Sequence, residues 1–92
     1  MTKTLDITNI AEAQERISDI EVVGNGDIWQ LLCKASSVSE GWMKSTKAME
    51  VPGGCLVQVT TQQGDHVAEA LAFVPGVKVV DDENNGRRLA RI

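Results

Sequence analysis

The chain has 92 residues, 42% of them hydrophobic and 24% charged, which fits one small globular domain and is too short for a TIM barrel or a complete Rossmann enzyme. Thirteen acidic and nine basic residues give a net charge of -4, which argues against a general nucleic-acid binder because such proteins need a basic footprint. With 1 histidine, 2 cysteines and 0 tyrosines, few side chains remain for catalysis or metal binding. We therefore predict no enzymatic activity, no cofactor and no metal.

The N-terminal region has the periodicity of a helix. Asn9 and Glu12 have the spacing of a capping box, and apolar residues recur behind them at helical intervals. This pattern predicts a first helix over about 10–20. The glycines on either side of Asn25 predict a turn, because these residues tolerate a positive φ.

A second helix is predicted after that turn. Asp27 is a favourable N-cap residue, and the next apolar residues have helical spacing: Ile28, Leu31, Leu32 and Ala35. These features predict a helix over about 28–40. The sequence leaves open whether residues 37–48 are helical or form a strand.

From Trp42 onward the pattern is typical of β-structure. The predicted strands cover about 43–51, 55–61, 66–74, 77–80 and 87–91. The Pro-Gly pairs at 52–53 and 75–76 predict turns, and a hairpin centred on Gln63-Gly64 would place Thr61 opposite His66. We predict a single α+β domain over residues 1–92, with two N-terminal helices packed on a four- to five-stranded antiparallel meander.

A cysteine and the single histidine could in principle form a nucleophilic pair. In the predicted hairpin Cys55 lies about 20 Å from His66, far beyond the roughly 3 Å that a Cys–His dyad needs. Cys33 and Cys55 lack a CxxC spacing, so we expect reduced, buried thiols, with one disulfide between them as the alternative.

The C-terminal region combines an acidic loop with a basic strand. The loop over 81–86 matches the first half of a calcium-binding loop, but Ile92 occupies the twelfth position, where a bidentate glutamate is required. The basic residues are Lys78, Arg87, Arg88 and Arg91. They are candidates for contacting an anion or a nucleic acid, and the competing interpretation is that the arginines balance Asp81, Asp82 and Glu83.

Three apolar residues around the first predicted strand are candidates for partner binding. Trp42, Met43 and Met49 are of types favoured at protein interfaces. The competing interpretation is that Trp42, together with Trp29, is buried over the sheet.

The stretch SEGWMKSTKAMEVPGGCLVQVTTQQ, Ser39–Gln63, resembles small uncharacterised proteins encoded by bacteriophages and prophages of enteric bacteria. The resemblance implies an accessory phage role in the bacterial cytoplasm and brings no catalytic motif. The absence of a signal-peptide pattern and of a long apolar run agrees with a cytoplasmic setting.

These observations predict a non-enzymatic protein-interaction module. A meander ends in edge strands that can pair with another chain, so a protein partner, or a homo-oligomer formed through an edge strand, is expected, without membrane binding. The alternative is a nucleic-acid-associated protein that uses the C-terminal arginines.

Overall fold

The architecture is that of two antiparallel sheets formed in chain order. A computed structural model describes residues 9–82 and 86–92. Its elements are α1 (Ile10–Arg16), β1 (Gln30–Ser37), β2 (Trp42–Val51), β3 (Gly54–Gln63), β4 (His66–Pro75), β5 (Val77–Asp82) and β6 (Gly86–Arg91). Strands β1 to β4 form a four-stranded sheet, and β5 with β6 forms a two-stranded one. The antiparallel sheet is confirmed, but the α+β class is wrong, because the described residues contain one helix of 7 residues and no second helix.

The start of α1 follows the predicted cap. The side chain of Asn9 accepts a hydrogen bond from the Glu12 backbone N–H at 2.7 Å. A carboxylate oxygen of Asp27 accepts a second bond, from the Ile10 N–H at 2.7 Å. Asp27 therefore caps α1, not a second helix. The backbone becomes extended at Ile17, so α1 is shorter than the predicted 10–20.

The second predicted helix is wrong, because most of 28–40 forms β1 and the turn after it. Strand β1 pairs with β2 from Gln30 opposite Ala48 to Ser37 opposite Trp42. Short apolar runs fit both a helix and a strand. Here pairing with β2 supplies the backbone hydrogen bonds of this segment, whereas the two adjacent serines weaken the helical alternative. Within 37–48, the strand β2 begins at Trp42.

The turns fix the registers of the large sheet. Gly53 has φ 87, as the predicted Pro-Gly turn requires. The β3–β4 hairpin is centred on Gly64-Asp65 and not on Gln63-Gly64, so Gln63 pairs with His66. Gly64 has φ 58 and Asp65 does not have a positive φ, which fits a type II′ turn.

Adjacent turns are bonded to one another. The Gly64 N–H donates to the Gly41 carbonyl at 2.9 Å, which joins the β3–β4 turn to the β1–β2 turn. At the opposite end of the sheet, the Gly76 N–H donates to the Gly53 carbonyl at 2.8 Å.

The two-stranded sheet covers one face of the large sheet, which we call the Ala48 face. Ala48 and Cys55 lie on it and are 0% exposed. The Cys55 thiol donates to the Val77 carbonyl at 3.5 Å, and the Val79 N–H donates to the carboxylate of Glu50 at 3.4 Å. The Val77 carbonyl and the Val79 N–H lie on the same side of β5, so the edge of β5 that faces away from β6 contacts the large sheet.

The opposite face, which we call the Met43 face, has a different composition. It buries Met43 and three polar residues, Ser45, Thr60 and Gln62. Among the described residues every buried side-chain polar atom has a hydrogen-bond partner. Within the described ranges, no helix has the length and apolar character needed to cross a bilayer.

Candidate functional site

Strand β4 forms one edge of the large sheet and is the most exposed of its strands. It is 10 residues long, and every residue in it except Val74 is exposed. Its large apolar residues are also open to solvent: Val67 is 48% exposed, Leu71 60% and Phe73 51%. These three pair with residues of the Met43 face of β3, so they form one row on that face. We call this row the β4 apolar row.

The hairpin geometry determines which backbone groups of β4 point away from β3. Gln63 and His66 close a two-residue hairpin, so they form a hydrogen-bonded pair. Hydrogen-bonded and non-bonded pairs then alternate, and the odd-numbered residues of β4 direct their N–H and C=O groups away from β3. Pro75 agrees with this assignment. It is an odd-numbered residue, so its missing N–H leaves the hydrogen bonds between β3 and β4 intact.

The β4 apolar row therefore coincides with the free hydrogen-bonding groups. Val67, Glu69, Leu71 and Phe73 carry the outward backbone groups of the edge. No register shift interrupts the pairing of β3 with β4. An extended peptide lying along β4 would meet a regular row of donors and acceptors, flanked by apolar side chains.

The carboxylate of Glu69 is directed back onto β3. It accepts from the Thr60 hydroxyl at 3.3 Å and from the Gln58 amide at 3.4 Å. Charged side chains on an edge strand normally discourage pairing with another chain. These bonds hold the one carboxylate of the strand against β3, so its charge is turned away from the outer edge.

The opposite edge, β1, is interrupted and partly occupied. Its pairing with β2 shifts between Leu31 and Cys33, which marks a bulge, and the exposed Lys34 follows. The Arg87 guanidinium of β6 donates to the Leu31 carbonyl at 3.4 Å. Bulges, lysines and covering elements are the features by which sheet edges avoid pairing with other chains.

The three predicted partner-binding residues do not form one patch. Trp42 and Met43 are consecutive in β2 and therefore lie on opposite faces of the sheet. Met43 is buried on the Met43 face and Met49 is half-buried on that same face. Trp42 is 38% exposed and Trp29 half-buried, so neither is a fully buried core residue.

The predicted basic residues lie on both faces of the two-stranded sheet. Arg87 pairs with the carboxylate of Asp81 at 3.7 Å and Arg88 with that of Asp82 at 3.7 Å, so two of the three arginines lie beside acids as the charge-balance interpretation predicts. Glu83, the third acid of that prediction, lies outside the described residues. Lys78 and Arg91 are exposed on opposite faces of the sheet.

The structure places the cysteines and the histidine far apart. Cys55 pairs with Val74, eight residues along β4 from His66, which is about 26 Å at about 3.3 Å per residue. Cys33 is exposed, contrary to the prediction, whereas Cys55 is buried, and both thiols are free. From Cys33, opposite Thr46, to Cys55, opposite Glu50, is about 16 Å in strand spacings, too far for a disulfide.

Cys55 is the described group with a clear change in acidity. Burial raises the pKa of its thiol, and the carboxylate of Glu50 adds to the rise. Its hydrogen bond to Val77 also uses the thiol as a donor. The group is therefore held in its neutral form, and a neutral thiol is a weak nucleophile. No group of His, Cys, Asp or Glu within the described ranges could hold a metal ion.

Sequence reasoning missed the β4 apolar row, although a signal for it was present. Residues 67–73 read VAEALAF, in which large residues or glutamate alternate with alanine. An alternation of this kind places the large side chains on one face of a strand and the alanines on the other. The alternation identifies an exposed edge strand only when the order of the strands in the sheet is also known.

The model of the Lockin family matches residues 1–90. No curated protein and no solved structure matches the chain. Since the match covers all but the last two of the 92 residues, the chain belongs to the Lockin family.

Proposed function

We propose that this chain is a non-enzymatic protein-interaction module that binds an extended segment of a partner along the free edge of β4. The observation that carries the proposal is the coincidence, on one uninterrupted edge strand, of outward backbone donors and acceptors with the exposed side chains of Val67, Leu71 and Phe73. Strand addition to a sheet edge uses these two elements, backbone hydrogen bonds for affinity and alternate side chains for specificity.

The backbone groups support this kind of binding most directly. Val67, Glu69, Leu71 and Phe73 each present an N–H and a C=O at the edge. A bound strand would replace water at about eight groups, and each hydrogen bond contributes about 1 kcal/mol net. The β4 apolar row adds the burial of three large side chains.

The alternative of nucleic-acid binding has weaker support. Two of the four cations it needs, Arg87 and Arg88, are within 3.7 Å of carboxylates. The other two, Lys78 and Arg91, lie on opposite faces of the two-stranded sheet. A nucleic-acid surface requires cations on one face that are free to neutralise phosphates.

The resemblance of Ser39–Gln63 to phage and prophage proteins supplies the biological setting of the proposal. It suggests that the module acts in a bacterial cell as an accessory phage protein. Partner binding through β4 does not depend on that setting, because it rests on the geometry of the strand.

The proposal is tested by selecting binders from a displayed library of random ten-residue peptides. Amide exchange measured on the complex should show protection at Val67, Glu69, Leu71 and Phe73 relative to the unbound single chain. The variant Leu71→Pro removes one outward N–H and one apolar side chain while keeping the internal ladder, and it should weaken binding at least about tenfold. Val38→Ala is the matched control, because Val38 is 99% exposed and lies in the β1–β2 turn.

Two results would count against the proposal. One is that selected peptides protect amides elsewhere and leave those of β4 unchanged. The other is that Leu71→Pro and Val38→Ala bind the selected peptides equally well.

A further inference from the structure

We propose that the segment bound at the β4 edge is the β4 strand of a second copy of this chain, paired antiparallel in one defined register. This inference rests on the proposed function and names its partner. The pairing would join two four-stranded sheets into one continuous eight-stranded sheet around a two-fold axis. An isologous contact of this kind requires a surface that complements itself, and an antiparallel strand edge meets that condition.

The register follows from the outward residues. The set from Val67 to Phe73 is centred on Ala70, whose own N–H and C=O point toward β3. If Ala70 lies opposite Ala70 of the second copy, Val67 faces Phe73 and Glu69 faces Leu71. Every outward N–H and C=O of the four residues then has a partner, which gives about eight hydrogen bonds between the copies.

The two neighbouring registers are less favourable. If the centre of the pairing moves from Ala70 toward the β3–β4 turn, Glu69 lies opposite Glu69 of the second copy. Like charges directly opposite each other destabilise a strand pair. A shift the other way places Val67 opposite Pro75, which has no N–H to donate. In the register centred on Ala70, the carboxylate of Glu69 lies beside Leu71 of the second copy and keeps its bonds to Thr60 and Gln58 on β3.

The side chains of the β4 apolar row favour the same arrangement. Val67 of one copy packs beside Phe73 of the other at both ends of the contact. These side chains are 48% and 51% exposed in the single chain. On the opposite face, Ala68, Ala70 and Ala72 meet the alanines of the second copy, which lets the two strands approach without steric conflict.

A cysteine scan tests the register directly. Each variant carries Cys33→Ser, which removes the exposed native thiol, whereas Cys55 remains buried. In Ala70→Cys the two new thiols lie on a non-hydrogen-bonded pair with Cα atoms about 4.5 Å apart, within reach of a disulfide. In the matched controls Ala68→Cys and Ala72→Cys, the same residue type is replaced on the same face, but the two thiols are about 14 Å apart.

The expected results are specific. Light scattering should give twice the chain mass for the wild-type protein, and the single-chain mass for Leu71→Pro. Under oxidised glutathione, Ala70→Cys should form a covalent dimer at least about tenfold faster than either control, because only its thiols lie within disulfide distance. A far-UV spectrum of each variant verifies that the sheet is retained.

A wild-type protein that stays a single chain up to millimolar concentration would overturn the inference. A dimer in which Ala70→Cys crosslinks no faster than its controls would also overturn it. Neither result overturns the proposed function, which fails if selected peptides leave the β4 amides unprotected or bind Leu71→Pro and Val38→Ala equally well. If the wild-type protein is a single chain and a selected peptide protects its β4 amides, the proposed function holds and the homodimer is wrong.

Discussion

The two edge strands of the large sheet differ in what happens to their free backbone groups. Strand β1 has 8 residues, a register shift between Leu31 and Cys33, and a carbonyl that accepts from Arg87. Strand β4 has 10 residues, no shift and a single carboxylate that is held by β3. The comparison teaches that, within the described residues, one edge of the sheet is closed by the chain itself while the other is left uncovered.

The largest expected effect comes from loosening the end of β4. A Cβ added at Gly54 would collide with the carbonyl oxygen of Val74 and lie 2.9 Å from the Cα of Pro75. Both are backbone atoms, so β3 and β4 must separate to make room. We expect Gly54→Ala to lower the free energy of unfolding by about 3 kcal/mol in urea denaturation.

Gly41→Ala is the matched control for that substitution. Gly41 has φ 73, and apart from its two chain neighbours no atom of the described residues lies within 4 Å of an added Cβ, so the cost is backbone strain alone, about 1 kcal/mol. Equal losses for the two variants would mean that the end of β4 is not tightly held against β3.

An intermediate effect is expected from the buried thiol under β5. Because the pKa of Cys55 is raised on folding, the unfolded chain loses its thiol proton at a lower pH than the folded chain does. Stability is therefore fully present at neutral pH and falls as pH rises above about 9, with a slope of at most about 1.4 kcal/mol per pH unit from this group. Chemical denaturation at several pH values measures the slope.

The other cysteine supplies the control for this pH dependence. Cys55→Ala should reduce the alkaline slope, whereas Cys33→Ala, at the exposed thiol of β1, should leave it unchanged. An unchanged slope in Cys55→Ala would show that another group causes the alkaline loss of stability.

The smallest effect is expected at the closed edge. Arg87→Gln removes the ion pair with Asp81 and the bond to the Leu31 carbonyl, and should cost about 1 kcal/mol. Arg88→Gln removes a similar ion pair, with Asp82, and should cost less, about 0.5 kcal/mol. Thermal unfolding of both variants measures the difference, and equal costs would mean that Arg87 adds nothing to β1.

Much of the sheet could be predicted from residues that have a single local preference. The Pro-Gly pairs at 52–53 and 75–76 separate strands where they were expected, and each of the five predicted strands overlaps an observed one. The cap formed by Asn9 was also recognisable, because its hydrogen bond to Glu12 is made within the same turn. Such features need no information about distant parts of the chain.

Other features depend on contacts that the local sequence does not contain. Asp27 has the residue type of a helix cap, but the N–H that it accepts from belongs to Ile10, 17 residues earlier. Residues 28–40 have apolar spacing that suits a helix, and pairing with β2 makes most of them a strand and a turn. The hairpin register was missed by two residues because Gly64 takes the first central position of the turn, not the second.

The bonds between turns restrict how this sheet can change in length. The turn at Gly64 is tied to the turn at Gly41, and the turn at Gly76 is tied to that at Gly53. Lengthening a single hairpin would move its turn away from the neighbouring turn and break the hydrogen bond between them. The lengths of neighbouring hairpins in this sheet are therefore coupled through these bonds.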